Sequence, residues 1–214
     1  MDLLGLLMLD TAFPRLPGDV GHAASWRLPL LTRVVAGASP QRVVRDGDPA
    51  LLQPFIDTAR SLVADGATAL TTSCGFLVRW QADLQAALPV PVWTSALLKL
   101  PELARPGVLT IDAASLGAAE LRAAGAPADT PVQGLAPGGH LQRALLGNAR
   151  ALDGAQAEAE VLAAAVALLQ RHPDLTDLVL ECTNLPPFAA ALQRATGRPV
   201  HHLMTLVHGR LEIA

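Results

Sequence analysis

Short unbroken apolar runs, each followed by a longer stretch of helical periodicity, recur along the whole chain and constrain its fold more than any other feature. The runs Leu3–Leu9, Arg33–Ala36, Ala67–Ser73, Val90–Thr94, Gly107–Ile111, Val132–Leu135, Asp177–Glu181 and Pro199–Leu203 read as strands. Several are apolar throughout instead of alternating, which suits strands covered on both faces. Between them the spacing predicts helices over Pro49–Ala64, Phe76–Ala87, Ala113–Ala123, His140–Leu146, Ala151–Gln170 and Pro187–Ala195. In the first of these, Leu51, Leu52, Phe55, Ile56, Ala59, Leu62 and Val63 fall at helical spacing, and Gly66 stands where a helix-ending glycine belongs. Alternation of this kind predicts an α/β protein with mostly parallel sheet.

The pattern also repeats. "LVADGATALTTSCGFLVRW" and "HPDLTDLVLECTNLPPFAAAL" share one layout: a helix end, a tight turn, a buried strand, then a short polar stretch holding a cysteine and opening a new helix. The chain therefore reads as two pseudo-symmetric α/β halves, each a mostly parallel sheet flanked by helices, with the active site in the cleft between them. Prolines cluster in "LPVPVWTSALLKLP", which sets the expected boundary. Residues 1–96 form the first half and 97–203 the second, with 204–214 packing back on the first.

Composition removes several classes of function. With 51% hydrophobic and 16% charged residues among 214, the chain has the makings of a full core and not of a disordered protein. The net charge is −3 and the basic residues are scattered, so neither nucleic acid nor an anionic membrane is an expected partner. Aromatics at 3%, with no Tyr, leave no stacking platform for single strands. The opening "MDLLGLLMLDTAFPR" lacks a basic stretch before its apolar run and reads as a buried strand, not a secretion signal. The Ala-rich run Ala155–Leu169 carries Glu158 and Glu160 and is too short and too charged to span a bilayer. The expected location is cytoplasmic, where the two cysteines stay unbridged; they are also far too distant in sequence for a CxxC redox or zinc spacing.

In open α/β sheets, ligands bind at the carboxyl ends of strands, where loops meet helix N-termini. Cys74 and Cys182 are both expected there. Free N–H groups and the positive end of a helix bind carboxylates and lower the pKa of a nearby thiol. Thr72, Ser73, Thr183 and Asn184 add short hydrogen-bonding side chains at the same mouths. Two thiols facing each other across a cleft suit a two-base racemase, in which one thiolate removes an α-proton and the other thiol protonates the opposite face. Such chemistry requires no cofactor when enough N–H donors stabilise the enolate-like charge.

These residues carry a resemblance. "LVLECTNLPP" resembles the second cysteine motif of the cofactor-independent aspartate/glutamate racemase superfamily, which in glutamate racemases reads Gly-Cys-Thr-His-Tyr-Pro after a strand. "TTSCGF" is similar to the first motif, usually Ala-Cys-Asn-Thr. "LLGLLMLDT" is similar to the opening strand, with Asp10 and Thr11 at the acidic and hydroxyl places, and "RPGVLTID" to the strand opening the second half, with Thr110 at its end. The resemblance implies that Cys74 and Cys182 are the acid/base thiols, that Ser73, Gly75, Thr183 and Asn184 hold the substrate carboxylate, and that Asp10 lies near the substrate amine. Phe76 and Trp93 would dry or enlarge the pocket, and Arg15 would pair with a second carboxylate.

Two departures stand out. Gly75-Phe76 replaces the usual amide and hydroxyl side chains, and Asn184 stands where glutamate racemases carry a histidine. The implied activity is racemisation or epimerisation at the α-carbon of an amino acid or related small carboxylate, other than ordinary glutamate or aspartate. Decarboxylation or cis–trans isomerisation of a small dicarboxylate, each needing one essential cysteine, stays open, as does a non-catalytic carboxylate-binding protein. A homodimer stays open too.

The remaining candidates read as structural. His201 and His202 are adjacent, so on a strand they point to opposite faces, and His22, His140, His172 and His208 have no ligand spacing; no metal site is expected. "APGGHLQ" lacks the Walker lysine and the GxGxxG pattern and reads as a loop near the cleft. Glu181 reads as a strand-end charge in solvent. A redox pair would require the thiols within disulfide reach, closer than thiols that straddle a substrate.

Overall fold

The computed structural model describes residues 2–212, so residue 1 of the expected first half and residues 213 and 214 of the expected returning segment lie outside the described residues. Strands β1 (Leu4–Leu9), β2 (Leu30–Val35), β3 (Ala69–Thr72) and β4 (Val92–Trp93) form a parallel sheet in the order β2-β1-β3-β4. Strands β5 (Pro106–Thr110), β6 (Val132–Gly134), β7 (Asp177–Leu180) and β8 (Val200–His201) form a second parallel sheet in the order β6-β5-β7-β8. The two orders are the same. In each sheet the strand order reverses between the first and third strands, where β1 pairs β3 and β5 pairs β7. That reversal opens a crevice at the carboxyl ends of the strands.

Among the described residues seven α-helices cover the sheets: α1 (Leu52–Ala64), α2 (Gln81–Ala87), α3 (Ala118–Ala123), α4 (His140–Leu146), α5 (Gly154–Arg171), α6 (Ala189–Thr196) and α7 (Leu203–Arg210). All six residues of β1 are buried, as an apolar strand between two helical layers must be. Helix α1 turns Phe55, Ile56, Ala59 and Leu62 inward and is followed by Gly66 at φ +101°, a backbone that favours glycine. Helix α5 is capped by Asp153, whose carboxylate accepts from the N–H groups of Ala155 and Gln156.

Several expected elements differ at their ends, three of them at the edges of the site halves. The helix expected from Ala113 begins at Ala118, because the Asp112 carboxylate accepts from Ala114 N–H and the Ser115 hydroxyl and holds those residues as a turn. The helix expected from Phe76 opens as a 3-10 segment, Gly75–Trp80, before α2. The strand expected to reach Leu203 stops at His201, and Thr205 accepts the His202 N–H to start α7. The ring of His208 in α7 stands edge-on to Trp26, with centroids 5.7 Å apart.

Candidate active site

Cys74 lies two residues beyond the end of β3 and Cys182 two residues beyond the end of β7, at the carboxyl ends that the strand reversals leave open. Both are free, both are buried, and both line a single cavity of about 30 Å³. The backbone N–H of Phe76 near Cys74 and that of Asn184 near Cys182 each work to lower the thiol pKa. The two turns are locked together: Thr183 Oγ1 donates to the Ser73 carbonyl at 2.5 Å, and Ser73 Oγ accepts the Leu9 N–H at 2.9 Å. Ser73, Gly75, Phe76, Thr183 and Asn184 all line the cavity beside the thiols. The apolar walls come from Leu9, Phe13, Pro40 and Val44 on one side and from Ile111, Leu145 and Leu146 on the other.

Other expected site residues stand elsewhere. Asp10 is exposed and outside the cavity lining, because its N–H is tied to the Ala38 carbonyl and its carboxylate faces the Gly37 N–H at 3.4 Å. Trp93 lies on β4, away from the lining. Arg15 does reach the cavity, but its guanidinium is already engaged. It pairs with Asp19 at 3.0 Å, donates to Thr11 Oγ1 at 2.9 Å and stacks 4.5 Å from the Phe13 ring centroid. Asp19 is the residue that reading the sequence missed. It is buried and accepts from Asn184 Nδ2 at 2.6 Å, while Asn184 Oδ1 accepts from the Cys182 thiol at 3.7 Å. Its short loop signature, "PGDVG", carries nothing that points to a partner 165 positions away.

Glu181 overturns the expectation of a solvated charge. Its side chain is fully buried and lines the cavity, held by the Thr110 hydroxyl, which donates to Oε2 at 2.7 Å. Thr110 therefore acts on Glu181 and is outside the lining itself. Glu181 Oε1 has no hydrogen-bond partner. A Cβ on Gly75 would overlap the Glu181 carbonyl and Oε1, so glycine stands at 75 because Glu181 already fills the space.

Burial sets the protonation of the whole cavity. It pushes Glu181 up to about 8, against the Thr110 hydrogen bond and the positive charge of Arg79. Burial and then the Glu181 charge push the Cys74 thiol up to about 12 and the Cys182 thiol well above its ordinary value. The expected lowering by a helix terminus is present, through the Phe76 and Asn184 N–H groups, but desolvation outweighs it. The two nearby cations are already engaged: Arg15 pairs with Asp19 at 3.0 Å, and Arg79 with Glu120 at 3.3 Å. Burial thus favours the neutral form of Glu181, Cys74 and Cys182 alike.

Among the described residues no group of three or more His, Cys, Asp or Glu side chains could hold a metal ion, and no helix is long and apolar enough to cross a membrane. His201 instead pairs with Asp177 at 2.8 Å. A wider cleft of about 570 Å³ runs past Arg105, Asp129 and His172 near the start of β5, away from both thiols.

Comparison with solved structures gives a consistent picture. An allantoin racemase from Klebsiella pneumoniae superposes with a TM-score of 0.64 at 13% identity, covering 100% of this chain and 89% of that one. Unliganded arylmalonate decarboxylase gives 0.57 at 18% identity, covering 94% and 86%, and Picrophilus torridus aspartate racemase 0.54 at 9%, covering 94% and 88%. The fold is that of the aspartate/glutamate racemases. At such identities the racemase fold fixes the architecture and leaves the reaction to the site. No family model matches the chain. In sequence it is 28% identical over 213 residues to a dimethylsulfoniopropionate lyase of Durusdinium sp. clade D, covering 92% of this chain and 70% of that protein. It is 29% identical to dimethylsulfoniopropionate lyase 5 of Emiliania huxleyi, covering 95% of this chain but 44% of that protein. The solved neighbours are thus racemases and a decarboxylase, and the sequence relatives are lyases.

Proposed function

We propose that the chain removes the α-proton of a small zwitterionic carboxylate with a cavity thiolate, without a cofactor, and that its reaction is β-elimination from a β-sulfonio carboxylate of the dimethylsulfoniopropionate type. The observation that carries this reading is the pair of buried, neutral thiols in one cavity whose neighbouring cations are already paired. A buried thiol ionises only when positive charge arrives beside it. A sulfonium or ammonium on the substrate brings that charge, so binding itself prepares the base. The substrate carboxylate is then held at the two cysteine turns, by the N–H groups around Gly75 and Thr183.

The step balances without help. The thiolate forms a bond to the α-hydrogen, the C–H pair becomes the new double bond, and the carbon–sulfur pair leaves on neutral dimethyl sulfide. Acrylate remains, and the thiol returns its proton to water. The leaving group needs no acid, so one thiol is sufficient. The lyase relatives, aligned over most of this chain, support this outcome.

The second thiol favours a second reading: racemisation or epimerisation at the α-carbon of an amino acid, with the other cysteine protonating the opposite face. Separate Cys74→Ser and Cys182→Ser variants decide between them. For the lyase, dimethyl sulfide release falls by about 10³-fold or more in one variant, and the other keeps much of its rate. For the racemase, both variants lose interconversion of the two enantiomers. Wild-type protein that neither releases dimethyl sulfide nor exchanges an α-proton would end both readings.

A further inference from the structure

We propose that Glu181 is a further catalytic residue, a neutral carboxylic acid whose Oε1–H donates a hydrogen bond to the substrate carboxylate and takes up charge as the α-proton leaves. This deepens the reading above and rests on it. The geometry supplies the donor. Thr110 Oγ1 is hydrogen-bonded to Oε2 at 2.7 Å, and with that hydroxyl donating to Oε2 the acid proton sits on Oε1. Oε1 is buried, without a partner, on a side chain that lines the thiol cavity.

Its position is as specific as its protonation. Oε1 stands against Gly75 in the space a side chain there would fill, so the carboxyl reaches from the β7 end to the turn of the first cysteine. That turn is the one expected to hold a carboxylate, and Oε1 packs against its glycine. The groups that face Glu181 keep it neutral. Two thiols lie across the cavity, while the Arg79 guanidinium is shared with Glu120 of α3. Arg15 is paired with Asp19, and the Asp19 charge raises the Cys182 thiol. The pKa of about 8 agrees with this. An ionised Glu181 would repel the substrate carboxylate and oppose thiolate formation, whereas a neutral acid assists both.

Loss of the α-proton moves a full negative charge towards the carboxylate oxygens. A hydrogen bond to those oxygens strengthens in that step more than on binding, which is the condition for lowering a barrier. Carboxylic acids held neutral by their surroundings act in this way on other enolates.

The test has two readouts. The first is turnover: Glu181→Gln keeps a donor and falls by about tenfold or less, whereas Glu181→Leu keeps the bulk without a donor and falls by about 10²–10³-fold. The wild-type rate bends downward above about pH 8, and that bend is absent in Glu181→Gln. The second readout needs no turnover. In protein carrying carbon-13 at the glutamate carboxyls, the resonance missing from Glu181→Gln titrates well above the ordinary carboxylate range, and propionate moves its midpoint higher still. A Glu181 resonance already ionised at pH 6 overturns the inference, as does a Glu181→Gln variant as inactive as Glu181→Leu. Failure of the proposed function looks different: the resonance titrates high and responds to propionate, but no substrate turns over.

Discussion

Gly75 and Glu181 occupy one space from two directions, and that pairing is the most distinctive feature of the site at the scale of single residues. Gly75→Ala drives a methyl group into the Glu181 carbonyl and carboxyl, so it should cost about 1–3 kcal/mol and disrupt the cavity. Thermal melts should show the loss, and Glu181→Ala in the same protein should recover part of it. Glu181 also leaves a mark on stability. Its pKa rises on folding from 4.5 to about 8, so the folded state holds a proton that the unfolded chain has released. The cost is absent below about pH 4.5, grows with pH, and is complete above about 8, on the order of 3–5 kcal/mol. His202 has the opposite sign between about pH 4 and 6.5, because burial depresses it to about 4. Urea unfolding of wild type and Glu181→Gln across pH 4.5–9 separates the two, and their difference should widen up to about pH 8. Asp19 should act on the thiol it helps to surround: its charge raises Cys182, so Asp19→Asn should speed alkylation of Cys182 at pH 8. The thiols themselves were legible in the sequence because each sits in a motif. Asp19 and Glu181 were not, because a buried carboxylate is set by distant partners, Asn184 for one and Thr110 for the other.

At the scale of elements, the strands were the most legible part. Apolar runs such as β1, β3, β5 and β7, which are largely buried, have few alternative fates, and each of the eight strands appears within the expected neighbourhood. The misplaced ends have identifiable causes: Asp112 captures the residues before α3, and Thr205 turns the chain into α7 directly after β8. Such capping contacts outweigh a continued apolar pattern at the boundary. Helix α5 offers the clearest test, since Asp153 accepts two of its first N–H groups. Asp153→Ala should cost about 1 kcal/mol, and lower the melting temperature by about 2–4 °C, without altering the thiol site.

At the scale of the whole molecule, two sheets of one topology bring their third-strand ends to a common cavity, and contacts distant in sequence hold them there. Thr183 bonds Ser73, Asn184 bonds Asp19, and the Val20 N–H donates to the Thr183 carbonyl at 3.2 Å. The repeated layout of the two cysteine segments was visible in the sequence, but the interlocking of their turns was not, since it depends on side chains reaching across the repeat. The cavity has room for little more than water at its centre, so a substrate must displace some of its apolar walls to bind there. Everything proposed for this site rests on a cavity thiolate that removes an α-proton from a small carboxylate. Proton NMR in deuterated water, with dimethylsulfoniopropionate and a panel of amino acids, tests it most directly. The account predicts acrylate and dimethyl sulfide from the first, or loss of an α-proton signal from one of the others, and abolition of either when the essential cysteine is replaced by serine. Unchanged spectra for every compound, or turnover that survives replacement of both cysteines, would contradict it.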